Sequence, residues 1–239
     1  MNAIATTKPA AAAKKATAAK KTTAKTTKPA TKPEAAQIPA FDAESVRKTF
    51  IASLEKRMID APLSKTLVSD CEWFKKDSAY ACAVIAKAHE IGFDVESIAT
   101  RCAITDKKAS GFIGMKVITK IRQLLSACYS GIARDCDGYT YAILVNMIEQ
   151  GRALDVHDMM RCVSKKVVQN NMLRDNLPVQ ALKNSSANTA DTQTSSTRQM
   201  LGELQVLKVS KGKKGDAPEW AETKQAAHVR ALFFAHVNG

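Results

Sequence analysis

Apolar residues recur at helical spacing from about residue 38 onward. Val46, Phe50, Leu54 and Met58 stand at i, i+4, i+8 and i+12, so they share one helix face. Phe41 before Asp42 suits a staple at the entry, and the helix should stop before Pro62. Pro62 can open a second helix, with Leu63, Leu67, Cys71 and Phe74 inward. A third runs about Ser78 to Ile91 and ends at Gly92, a residue suited to a left-handed cap. A short helix follows over Asp94 to Cys102, then a turn at 103–105. A long helix is expected over Asp106 to Ser130, with Phe112, Val117, Ile118, Ile121, Leu124 and Leu125 inside and Gly131 as its stop.

The next block echoes the previous one. The run from Tyr80 through Gly92, Asp94 and Cys102 to Lys108 returns from Tyr139 through Gly151, Asp155 and Cys162 to Lys166. Duplication of a helical unit and coincidence among cap residues both remain open. Past Asn170 the pattern weakens. Pro178 can open a short helix to Lys183, and 184–196 is polar and loop-like.

The stretch 194–216 then changes character within a few residues. A hydroxyl cluster precedes Met200, Leu201, Leu204 and Leu207 at helical spacing. Val206 to Val209 is β-like, and Lys211, Lys213 and Lys214 sit in a Gly-rich turn. Asp216 to Glu219 suits a capping box before a last helix carrying Trp220, Ala227, Leu232 and Phe233. The expected fold is mainly α, with tandem helix-turn-helix or winged-helix-like units and a small β-wing. Its divisions are a disordered tail (1–37), a first helical unit (38–131) and a second (132–239).

Composition agrees with helices: 45% of residues are hydrophobic but only 5% aromatic, and Ala, Leu, Ile, Val and Met dominate. Charge is unevenly placed. Residues 1–37 hold eight lysines against Glu34, a net +7 of the chain's +13. A Lys/Ala/Thr/Pro segment with one large apolar residue, Ile4, cannot offset its ordering entropy and should be disordered when free. Its composition resembles the tails of linker histones and bacterial histone-like proteins. The resemblance implies loose phosphate contacts from Lys14, Lys15, Lys20, Lys21, Lys25 and Lys28; a plain solubilising leader is the rival reading.

The six cysteines form no CxxC pair and read as reduced buried thiols. No segment has the roughly 18 apolar residues of a membrane span. The N-terminus lacks both a secretory apolar core and the arginines of a transit peptide. The expected location is cytoplasm or nucleoid, or the host cytoplasm for a viral protein.

Two stretches offer chemistry. In Ser97 to Phe112, Ala99 is the small residue that crossing helices need. Ala103 stands at the turn, where Gly is usual, and Ile98, Cys102, Ile104 and Phe112 are apolar. This resembles the helix-turn-helix motif of bacterial and phage regulators. The resemblance implies that Thr105, Lys107, Lys108 and Ser110 face a DNA groove; two packed helices with a solvated basic end is the bland alternative. The stretch 194–216 resembles the end of a winged-helix domain. That implies Thr197 and Arg198, with Gln199, on the exposed face of a recognition helix, and Lys208, Lys211, Lys213 and Lys214 on a wing over phosphates. The connection before this helix, 184–193, is longer than a tight turn.

Other signals point away from catalysis. The run 211–215 lacks phosphate-loop spacing. Asp155, His157 and Asp158 sit where a helix start favours Asp. No nucleophile–base grouping has local support, and no cofactor or metal is expected. Tyr139 and Tyr141 could stack bases, although their apolar surroundings suit a core. The expectation is a non-enzymatic DNA-binding transcription regulator or nucleoid-associated factor. One alternative is a single-stranded DNA-binding cofactor of RNA polymerase or the replication machinery. Another is a virion or nucleoid packaging protein whose body forms homo-oligomers.

Overall fold

The first helix is fixed at its start by chemistry visible in the sequence. In the computed structural model, which describes residues 40–170, 185–209 and 218–239, the Asp42 carboxylate accepts from the backbone N–H of Glu44 and Ser45 and opens α1, Ala43–Asp60. Such caps typically contribute about 1 kcal/mol. Ser64 caps α2 (Lys65–Lys76), Asp77 caps α3 (Ser78–Ile91) and Asp94 caps α4 (Val95–Arg101). Gly92 ends α3 at φ 105°, a backbone conformation that side chains with a Cβ rarely adopt. Then come α5 (Met115–Ser130), a 3-10 turn at Ala133–Asp135, α6 (Gly138–Glu149), α7 (Val156–Val163) and α8 (Lys165–Asn170). The chain closes with α9 (Ala187–Glu203), strands β1 (Leu207–Lys208) and β2 (Glu219–Trp220), and α10 (Lys224–Asn238). The protein is mainly helical, with a small antiparallel sheet.

Residues 40–239 form one compact unit across the expected boundary at 131. The reason is α9, which packs against both α5 and α7. The core runs from Phe50, Leu54 and Phe74 through Ile118, Ile121 and Leu124 to Ile143, Leu144, Met200 and Phe233. A small void near Trp73 and Cys102 measures about 10 Å³, too small for more than a water molecule.

Several expectations are corrected. Pro62 does not open α2; that helix starts at Lys65, and Leu63 is 93% exposed. Residues 106–114 form turns, not the first turns of α5. Asp106 accepts from the backbone of Lys108, Gly111 sits at φ 81°, and extended Gly114 caps α5. A tight helix-turn-helix is therefore replaced by a separate basic turn. Residues 187–196 are helical rather than loop. Ser186 caps α9, and Ala190, Thr194 and Thr197 form its buried stripe. Small hydroxyl residues fill a narrow gap between helices, so the stripe gives no hydrophobic signal. Glu219 and Trp220 form a strand, and Thr223 caps α10 instead of a box at 216–219. The expected short helix at 178–183 lies outside the described residues.

The internal echo survives as caps. Asp77 and Asp137 open α3 and α6, Gly92 and Gly151 both take positive φ, and Asp94 and Asp155 open α4 and α7. The packing repeats only in part: α4 touches α3 as α7 touches α6, but α4 lies mainly against α1 and α7 against α9.

Candidate nucleic-acid interface

The two stretches singled out in the sequence meet. The Gln199 side-chain amide on α9 donates to the Phe112 carbonyl at 2.9 Å. One turn along, the Arg101 guanidinium at the end of α4 pairs with Glu203 at 2.5 Å. Between them lies an open groove of about 590 Å³, lined by Ser97, Arg101, Ser110, Arg198, Glu203 and the edge of β1 at Leu207 and Val209. Gly111 permits this closeness: a Cβ there would stand 2.9 Å from Cδ of Arg101, a contact real side chains do not make.

Thr105, Lys107, Lys108 and Ser110 are exposed. They project from the turn rather than from a helix. Lys208 is exposed on β1, in register with Glu219 on β2. The two strands pair antiparallel, and the stretch expected as a wing, 211–215, lies between them in the sequence. Its lysines, Lys211, Lys213 and Lys214, lie outside the described residues, as do Lys14, Lys15, Lys20, Lys21, Lys25 and Lys28 of the tail.

Thr197 is not on an exposed face. It is fully buried, with its hydroxyl 3.3 Å from that of Thr140, and it cannot reach a base. The packing of α9 between α5 and α7 explains this. The exposed positions on α9 are Ala187, Asn188, Asp191, Thr192 and Ser195, a strip with an acid and no cation. Arg198 is half-buried at the groove. Its Nε and Nη2 are sealed from solvent and meet no acceptor among the described residues.

Thr197 belongs instead to a buried polar knot. Lys120 of α5 contacts the carboxylate of Asp137 and lies 3.3 Å from the Thr140 hydroxyl. Burial pulls the Lys120 pKa down, against the favourable pull of Asp137. A second knot ties α2 to α5: buried Asp70 accepts from Thr119 and from Arg122, at 2.6 and 2.9 Å, and Arg122 covers Trp73. These pairs hold the scaffold and leave no free charge for a ligand.

The cysteines are free, and burial raises the Cys102, Cys128 and Cys162 thiols to about 12, too high for ready thiolate chemistry. Among the described residues no cluster of His, Cys, Asp and Glu could hold a metal ion, and no helix is long and apolar enough to cross a membrane. Asp155 caps α7, and Asp158 pairs with Arg152 and Arg161, which gives both acids structural roles beside exposed His157. Tyr141 bonds His236 at 2.6 Å and Tyr139 lies against Lys120, so both rings are engaged in the body.

Sequence reasoning missed Ser97, Arg101 and Glu203 as groove residues. Their pairing spans 102 positions, and no local spacing signals it. No family model, curated protein or solved structure matches this chain.

Proposed function

We propose that this chain is a non-enzymatic DNA-binding protein, acting as a transcription regulator or nucleoid-associated factor. Its body meets the phosphate backbone along the face that joins the 105–111 turn to the β1–β2 hairpin. The carrying observation is the convergence of two basic segments, separated in sequence, on one groove through Gln199–Phe112 and Arg101–Glu203. Lys107 and Lys108 in the turn and Lys208 on β1 are exposed. The hairpin lysines and the tail extend the same chemistry. Buried Thr197 and the acidic outer strip of α9 favour phosphate contacts over base reading by that helix.

Fluorescence anisotropy on a labelled duplex across salt tests the reading. Each lost phosphate contact lowers the slope of log K against log salt by about 0.9. Lys107→Ala, Lys108→Ala and Lys208→Ala together should therefore reduce the slope by roughly 3. An unchanged slope would refute the proposed face.

One observation favours a second reading, an oligomerising packaging protein. Phe234 on α10 is 60% exposed beside exposed Ala227 and Ala231, over a shallow apolar groove that includes Met147 and Trp220. Single-strand binding is less favoured, because Trp73 and Trp220 are half-buried beneath Arg122 and Arg230.

A further inference from the structure

The groove between α4, the 105–111 turn and α9 has an unusual inventory. It is lined by two guanidiniums, one carboxylate and two serines. Glu203 is committed to Arg101. Arg198 has no carboxylate within ion-pair distance among the described residues; its Nε and Nη2 are closed to water, so the nitrogen it offers the groove is Nη1. The Ser97 and Ser110 hydroxyls donate to no protein group among the described residues. A half-buried cation with no counter-ion is costly to maintain.

Among the described residues the titratable and charged groups lining the groove are Arg101, Arg198 and Glu203, a net charge of +1. A phosphate monoester carries more than one negative charge at neutral pH; a phosphodiester carries one. The volume of about 590 Å³ is in the range that holds a small ligand. A guanidinium N–H donates well to a phosphate oxygen, and the Ser97 and Ser110 hydroxyls line the same groove.

We infer that this groove seats one backbone phosphodiester of a nucleic-acid strand, held by Arg198 with Ser97 and Ser110, while Glu203 competes with the phosphate for Arg101. This rests on the nucleic-acid reading above and deepens it. Lys107, Lys108 and Lys208 then act as a diffuse field, and the groove fixes register.

The test uses the full chain and its thermal midpoint at constant ionic strength. The probe is a thymidine dinucleotide with a phosphodiester link, set against the same dinucleotide with an uncharged methylphosphonate link, and against inorganic phosphate. A ligand raises the midpoint only if it prefers the folded state. Tail lysines that bind anions equally before and after unfolding therefore contribute no shift. The phosphodiester should raise the midpoint, the methylphosphonate should not, and inorganic phosphate should act more weakly than the diester. Arg198→Met should weaken dinucleotide affinity by roughly tenfold or more. Glu203→Gln should strengthen it, because Arg101 is released. Should Arg198→Met not fold, Ser97→Ala with Ser110→Ala should still reduce the shift.

The inference is overturned by equal shifts for the two linkages, by a shift that survives Arg198→Met, or by no shift in the unmodified chain. Duplex anisotropy on the same samples separates the failures. Binding that still depends on Lys107 and Lys108 without a dinucleotide shift removes the seat and keeps the wider reading. Loss of both removes both.

Discussion

Gln199 and Phe112 hold the basic turn to the helix that leads into the hairpin. The bond from the Gln199 amide to the Phe112 carbonyl, at 2.9 Å, joins residues 87 positions apart. Gln199→Ala should cost about 1 kcal/mol of stability. Its sharper effect should be local: hydrogen exchange across 105–113 should accelerate while α5 stays protected. Uniform acceleration through α5 would mean that the turn is held by something else.

Lys120 and Asp137 should respond unequally to truncation. Asp137→Ala removes the cap of α6 and strands a buried ammonium, so it should cost about 3–5 kcal/mol. Lys120→Met leaves the Asp137 carboxylate, which is more exposed than the lysine, still capping Thr140. It should cost less. Chemical denaturation of the two variants gives the order directly, and a reversed order would contradict the assignment of Lys120 as the more deeply desolvated partner.

Glu44 sets part of the acid limb of stability. Hydrogen bonds first from Arg47 and then from Cys82 lower its pKa to about 2. The unfolded carboxyl binds protons at higher pH than the folded one, so stability rises with pH between about 2 and the ordinary carboxylate range. The contribution is present above that range and lost as pH falls toward 2. Glu44→Gln should flatten this limb in denaturant midpoints taken across pH, and the effect should shrink in high salt because the group is exposed. An unchanged acid limb in the variant would contradict it.

Much of the helical scaffold was legible because its caps are local. Asp42, Asp77 and Asp94 stand beside apolar periods, and Gly92 can take the left-handed turn that ends α3. The first half of α9 was not legible. Its buried face uses Ala190, Thr194 and Thr197, which read as loop by composition and become a core stripe only because α5 and α7 flank them. The basic turn at 106–114 was mistaken for helix, since Phe112 and Val117 fit the period and the backbone choice rests on Asp106, Gly111 and Gly114. Of the site, the lysines were visible as charge. The groove was not, because Arg101–Glu203 and Gln199–Phe112 are long-range. Thr197 was misplaced for the same reason as the helix around it.

Phe234 offers a check on the packaging reading. If α10 associates between copies, Phe234→Ser should shift the full chain toward monomer in analytical ultracentrifugation without lowering its thermal midpoint. If the chain is monomeric throughout, the exposed ring has no such role.

The most direct measurement is duplex affinity, across salt, of a chain lacking residues 1–37, with and without Lys107→Ala, Lys108→Ala and Lys208→Ala. Residues 40–239 form their own compact unit, so the body should keep its helical circular dichroism after truncation. Duplex binding should persist with a lower salt slope than the full chain's, and the three substitutions should weaken it and lower the slope by roughly 3 more. A folded, truncated chain that binds no duplex would contradict it, because all affinity would then reside in the tail.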